Sequence, residues 1–157
     1  MHRIIGLGSL LTVLTMALPP ISVRAAALPE TISITTKRGF DELVAAVEQA
    51  VEKHGLLRIA TASASRAAAA RGITIPGNAV VLTFSNPYAL RLLAASVPAG
   101  IEAPMRFYVT EAADGTAALT YAKPSNVLAP YGDARLDELG RELDALFAAI
   151  AQDALAK

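Results

Sequence analysis

Residues 104–123 read PMRFYVTEAADGTAALTYAK, and their alternation decides how this chain is built. Met105, Phe107 and Val109 alternate with Arg106, Tyr108 and Thr110. Beyond Asp114-Gly115, Leu119 and Tyr121 alternate with Ala118 and Thr120. A period of two in β-branched and aromatic residues marks strands, and Asp-Gly between two such runs marks a hairpin. Keeping the faces unmixed sets the register. A two-residue loop at Asp114-Gly115 would place Val109 against Thr120 and Phe107 against Ala122. A three-residue loop, 113–115, with Gly115 left-handed, places Val109 against Leu119 and Phe107 against Tyr121. The second register is expected. It leaves one apolar face and a second face carrying Arg106, Tyr108, Thr110 and Thr120.

Upstream of the hairpin the chain alternates strand and helix signals. Residues 79–84 (AVVLTF) form a nearly continuous apolar run, suited to a central strand buried on both faces. Asn86-Pro87 then starts a helix, with the amide as cap and proline where the N–H has no partner. Leu90, Leu93, Ala94 and Val97 are its expected buried stripe. Further back, Ile32 and Ile34 alternate in a strand over 28–36. Gly39 breaks it, and Phe40, Leu43, Val44, Val47 and Val51 follow at helical spacing until Gly55. Leu56 to Ala60 is a strand, and Ser63 caps a short alanine-rich helix before Gly72. Downstream, Asp133 caps a last helix with Leu136, Leu139, Leu143, Leu146, Phe147 and Ile150 inward. Its acidic residues Asp137, Glu138, Glu142 and Asp144 are expected on the wet side. The order is β-α-β-α-β-α-β-β-α. It predicts an α+β fold, a two-layer sandwich of about five strands in a mixed sheet with helices packed on it.

The first 27 residues read differently. His2 and Arg3 precede the apolar run 4–18 (IIGLGSLLTVLTMAL), the helix-breaking Pro19-Pro20 and a small-residue exit at Ala25-Ala26-Ala27. That is the layout of a cleavable secretory signal, and it is shorter than the roughly 20 apolar residues of a spanning helix. Cleavage after Ala27 is expected, with retention as an N-terminal anchor the alternative. Residues 28–157 would then form the exported domain, in the periplasm of a Gram-negative bacterium and with no membrane span after cleavage. At roughly 130 residues it can bury a sufficient core without staples. It would lose Arg3 and Arg24 but no acid, leaving a net charge of about −2.

Composition removes several chemistries. There is no cysteine, hence no disulfide, thiolate nucleophile or zinc knuckle. The 14 basic and 14 acidic side chains balance, so no basic excess serves nucleic acid. His54 is the one histidine beyond residue 27, at the end of the first helix, where the dipole favours a cation. No G-x-S-x-G elbow and no phosphate loop occurs outside the signal. No catalytic residue, metal site or cofactor is therefore expected. The ligand-binding candidates are Arg106 and Tyr108 on the polar hairpin face, Ser85 and Asn86 at a helix start, and Tyr121. Arginine clamps carboxylates or phosphates, and tyrosine offers an aromatic wall with a hydroxyl. The expected function is non-enzymatic binding of a small molecule or a periplasmic protein, as a monomer or homodimer. The alternatives are a small enzyme combining Arg106 and Tyr108 with Glu111 or Asp114, and a homodimeric assembly factor.

Several stretches together resemble domain-of-unknown-function family 302 (DUF302). They run from Gly39-Phe40 to His54-Gly55-Leu56, then Leu82 to Ser85-Asn86-Pro87, Ala103-Pro104-Met105-Arg106, Asp114-Gly115, and Tyr121 to Pro124. The resemblance covers about 32–150. It implies a compact α+β sandwich, often secreted as a single domain, and no established reaction. Ser85-Asn86-Pro87 stands where the family usually shows G-N-P, and residues 61–72 lack the histidine found there in many members.

Overall fold

The computed structural model describes residues 30–156, so the expected export signal lies outside the described residues. Strand β1 (Thr31–Gly39) leads into helix α1 (Phe40–Lys53), followed by β2 (Leu57–Ala62), α2 (Ala64–Ala69), β3 (Asn78–Phe84) and α3 (Asn86–Ala95). A 3-10 turn (Pro98–Glu102) precedes β4 (Met105–Glu111), β5 (Thr116–Ala122), a short α4 (Pro124–Leu128), a second 3-10 turn (Ala129–Tyr131) and α5 (Ala134–Leu155). The fold is α+β in the expected order, with α4 and the two 3-10 turns added.

The five strands form one sheet in the order β1-β5-β4-β3-β2. Every pairing is antiparallel, where a mixed sheet was expected. The reason lies in the connections. α2 and α3 do not carry the chain across to a parallel neighbour. Each returns it to the adjacent strand, so β2-α2-β3 and β3-α3-β4 act as long hairpins. The β4-β5 hairpin has the expected register, with Val109 opposite Leu119 and Tyr108 opposite Thr120. Gly115 sits at φ +80°, the left-handed position that closes the three-residue loop.

One face of the sheet carries the core. Val81, Phe107, Val109 and Leu119 are buried there against Leu43, Val47 and Val51 of α1 and Phe147 and Ile150 of α5. Phe107 stacks on Phe147 at 4.6 Å and meets Tyr121 edge-on at 5.4 Å, arrangements that add to the area term. A smaller cluster joins Leu92, Ala99, Leu128, Leu136, Leu139 and Leu143. Because helices cover a single face, β3 alternates: Ala79, Val81 and Thr83 are buried, while Val80 and Leu82 are half-buried. It is therefore not buried on both faces as its apolar run suggested, and β4 takes the central place.

Three further readings change. In α3 the buried residue is Leu92, and Leu90 and Val97 are 70% and 74% exposed. Tyr88, Leu92 and Ala95 have the same helical spacing as the expected stripe, and packing against α5 selects them. Ser85, not Asn86, is the N-cap of that helix, and Asn86 begins it. In α5, Asp144 does not face solvent alone: it accepts from Ser125 N at 2.9 Å and Ser125 Oγ at 2.6 Å, capping α4. Gly140 makes that approach possible, since a Cβ there would lie 2.7 Å from the Ser125 Cα. His54 ends α1 and bonds Asp153 on α5 at 2.8 Å.

Candidate functional site

The helix-free face of the sheet is ordered in rows by the strand registers. One row runs Ser33, Thr120, Tyr108, Val80, Ala62, each residue opposite the next across β1, β5, β4, β3 and β2. Beside it, Arg106 faces Leu82, and Leu82 faces Ala60. The β1-β5 half is hydroxylic, with Ser33 Oγ 2.9 Å from Thr120 Oγ1. The β2-β3 half is aliphatic, flanked by Leu57 and Ile59 at 51% and 52% exposure. Tyr108 is 41% exposed and Arg106 is exposed, both on the central strand between the two halves. Arg106 makes no ion pair among the described residues. These rows contain no carboxylate.

The five sequence-derived candidates do not converge. Arg106 and Tyr108 share the open face. Tyr121 lies on the opposite side of the sheet, 5% exposed within the aromatic core. Burial, and then the charge of Asp144, push its phenol above the usual range. Asn86 is exposed at the start of α3. Ser85 borders a separate cleft between α3, the neighbouring ends of β3 and β4, and α5.

The carboxylates proposed to complete an enzyme site are committed elsewhere. Glu111 accepts from the Gly77 backbone N–H at 2.7 Å. Asp114 accepts from the Thr116 N–H and hydroxyl at 3.0 and 2.6 Å, and those bonds hold its carboxyl below its ordinary range. With Arg106 and Tyr108 open to solvent, these four residues form no enclosed pocket. Among the described residues, no three His, Asp or Glu side chains cluster to hold a metal, and no helix is long and apolar enough to cross a membrane.

The sequence reading missed Thr83. It is the one buried polar residue among the described residues, 3% exposed, and its Oγ1 has no hydrogen-bond partner there. It lines the cleft beneath α3, whose walls include Phe84, Leu92, Met105 and Leu143. The available signal was parity: Ala79, Val81 and Thr83 fall on one side of β3, so a hydroxyl stands where valine would pack. At the mouth of the cleft, the Tyr88 phenol is raised by burial and by its hydrogen bond to Glu142. Glu142 in turn pairs with Arg91 at 2.7 Å.

An antiparallel five-stranded sheet with helices on one face places the protein among two-layer α+β sandwiches. The model of the family described as Domain of unknown function DUF302 matches residues 32–153, and the chain belongs to that family. A crystal structure of an uncharacterised conserved DUF302 protein from Bacillus stearothermophilus is similar, with a TM-score of 0.68 at 17% identity. The match spans 78% of this chain and 97% of that one, a likeness of fold. No curated protein matches.

Proposed function

We propose that this protein is an exported, periplasmic, non-enzymatic binding domain that recognises another protein through the open face of its sheet. The observation carrying this reading is the pairing of exposed Arg106 and Tyr108, without an ion-pair or hydrogen-bond partner among the described residues, with an adjoining aliphatic surface on neighbouring strands. Arginine, tyrosine and contiguous exposed apolar area are the composition of interface centres. An open face suits a macromolecule, since small ligands need concave sites to bury most of their surface. The rows themselves carry Arg106 and no acid, which favours an occupant that brings its own carboxylate over a second copy of this chain. The occupant is therefore a different protein presenting a carboxylate beside apolar side chains. The signal-like layout of residues 1–27, a basic head, an apolar run and a small-residue exit, supports an encounter outside the cytoplasm.

A photo-crosslinking residue at position 108, expressed in the native cell, tests this. The expected result is one adduct whose partner is a second protein, lost in Arg106→Glu. No adduct, an adduct of two copies of this chain, or an adduct unaffected by Arg106→Glu would overturn it. Osmotic-shock release of a chain beginning at Leu28 checks the export step.

A further inference from the structure

We infer that the free edge of β1 is a dimer interface: two copies of this chain pair through Thr31–Thr35, antiparallel about a two-fold axis at Ser33. The contact uses an edge of the sheet, not the face bearing Arg106 and Tyr108, and does not depend on what that face binds.

The sheet ends on β1 and β2, and the two edges are built differently. An open edge offers unpaired N–H and C=O groups, and charge, proline, bulges or shortness normally guard it. β2 is six residues long, carries Arg58 and is broken by a register shift between Arg58 and Ala60. β1 runs nine residues, and from Thr31 to Thr35 it has no charge, no proline and an unbroken register against β5.

The ladder tells which groups that edge offers. Lys123 N donates to Glu30 O, so these two residues form a hydrogen-bonded pair. Antiparallel pairs alternate. Ile32 and Ile34 therefore bond Tyr121 and Leu119, while the N–H and C=O of Thr31, Ser33 and Thr35 point outward. No loop or turn among the described residues takes them up.

The occupant is read from the strand itself, because Thr31-Ile32-Ser33-Ile34-Thr35 is a palindrome. A two-fold axis at Ser33 sets Thr31 against Thr35, Ile32 against Ile34, and Ser33 against its own copy. Every pair is then like with like: hydroxyls meet on the open face, and isoleucines meet on the side packed against the core. Ile34 and Leu155 line an open hollow beside the edge, which the copy's Ile32 would help to cover. The flanking charges agree. Glu30 precedes the palindrome and Lys37 follows it, so antiparallel pairing brings the acidic end of one strand to the basic end of the other. Paired this way, the row Ala62, Val80, Tyr108, Thr120, Ser33 continues straight into the second copy. The two Tyr108 stand five strand spacings apart, about 24 Å.

Sedimentation equilibrium of the purified protein should show a dimer at tens of micromolar. Thr31→Lys with Thr35→Lys sets lysine against lysine twice and should raise the dissociation constant about tenfold. Thr31→Glu with Thr35→Lys changes the same two exposed positions but opposes unlike charges, and should hold the constant at or below the wild-type value. Cysteine, which the chain lacks, reads the register. Under mild oxidation Ser33→Cys should cross-link two copies, since opposed residues of a hydrogen-bonded pair have Cα atoms about 5.5 Å apart. Thr31→Cys should not, because its two copies stand roughly 13 Å or more apart along the strands. The inference fails if the wild type is a monomer at that concentration, or if both charge pairs act alike. It fails equally if Thr31→Cys cross-links as readily as Ser33→Cys, or if Ser33→Cys links only to a different protein.

Discussion

Replacing Thr83 by valine removes a buried hydroxyl with little change of side-chain shape, which makes it a direct measure of what that hydroxyl contributes to stability. The group is 3% exposed and unpaired. Burying an unsatisfied polar group costs about 1–3 kcal/mol, and an isosteric apolar replacement recovers part of it. The new methyl takes the place of the hydroxyl on the side of β3 where Val81 is also buried. Thr83→Val should therefore stabilise the domain by about 1 kcal/mol, or about 3–5 °C in Tm for a chain of this size. Urea unfolding followed by circular dichroism, with an unchanged m-value, reads it directly. Thr61→Val is the control: the Thr61 hydroxyl donates to Glu48, so its loss should destabilise. If Thr83→Val destabilises by more than about 0.5 kcal/mol, the hydroxyl has a partner in solution and the argument from an unpaired group is refuted.

Three further outcomes follow from the packing and the charges. Gly140→Ala should destabilise by about 1–3 kcal/mol although alanine favours helix, because its Cβ would sit 2.7 Å from the Ser125 backbone; thermal unfolding with an unchanged or raised Tm would contradict it. Leu92→Ala should cost about 2–5 kcal/mol while Leu90→Ser stays within about 0.5 kcal/mol, reversing the ranking that the sequence periodicity implied; chemical denaturation of the two variants decides. Asp133 is pulled down to about 2, first by its hydrogen bonds from Arg135. Its contribution is thus fully present above the unfolded carboxylate value of about 3.9 and is lost as pH falls towards 2. The stability difference between the wild type and Asp133→Asn should shrink over that window, and a carboxyl midpoint near 4 by NMR titration would contradict the assignment.

Much of the secondary structure was legible because it is written in local patterns. The hairpin register was readable down to the residue pair, since a one-residue slip would have turned Phe107, Val109, Leu119 and Tyr121 outward. Gly55 and Gly115 announced their left-handed positions, and Ser63 and Asp133 their caps. α3 was different. Its apolar residues surround the helix, so periodicity allowed more than one buried stripe, and the wrong one read more strongly. The site was half legible: Arg106 and Tyr108 were placed on one face by alternation. Ser85 and Asn86 were chosen as a helix start and Tyr121 as an aromatic hydroxyl, and neither property says which side of the sheet a residue joins.

By itself, the sequence determined the five strands and four of the five α-helices among the described residues, their order, the one register that a hairpin imposes, and the absence of any thiol chemistry. Those are properties of neighbours along the chain, and side-chain alternation, capping and turn residues encode them. Tertiary structure alone decided that every strand pairs antiparallel, that the helices leave one sheet face bare, and that Leu92 rather than Leu90 is buried. It alone buried the Thr83 hydroxyl with no hydrogen-bond partner among the described residues. Each of these depends on which surfaces meet across the sheet, from β1 against β5 to α3 against α5. Contacts between segments far apart in sequence leave no period in either segment, so only the folded chain contains them.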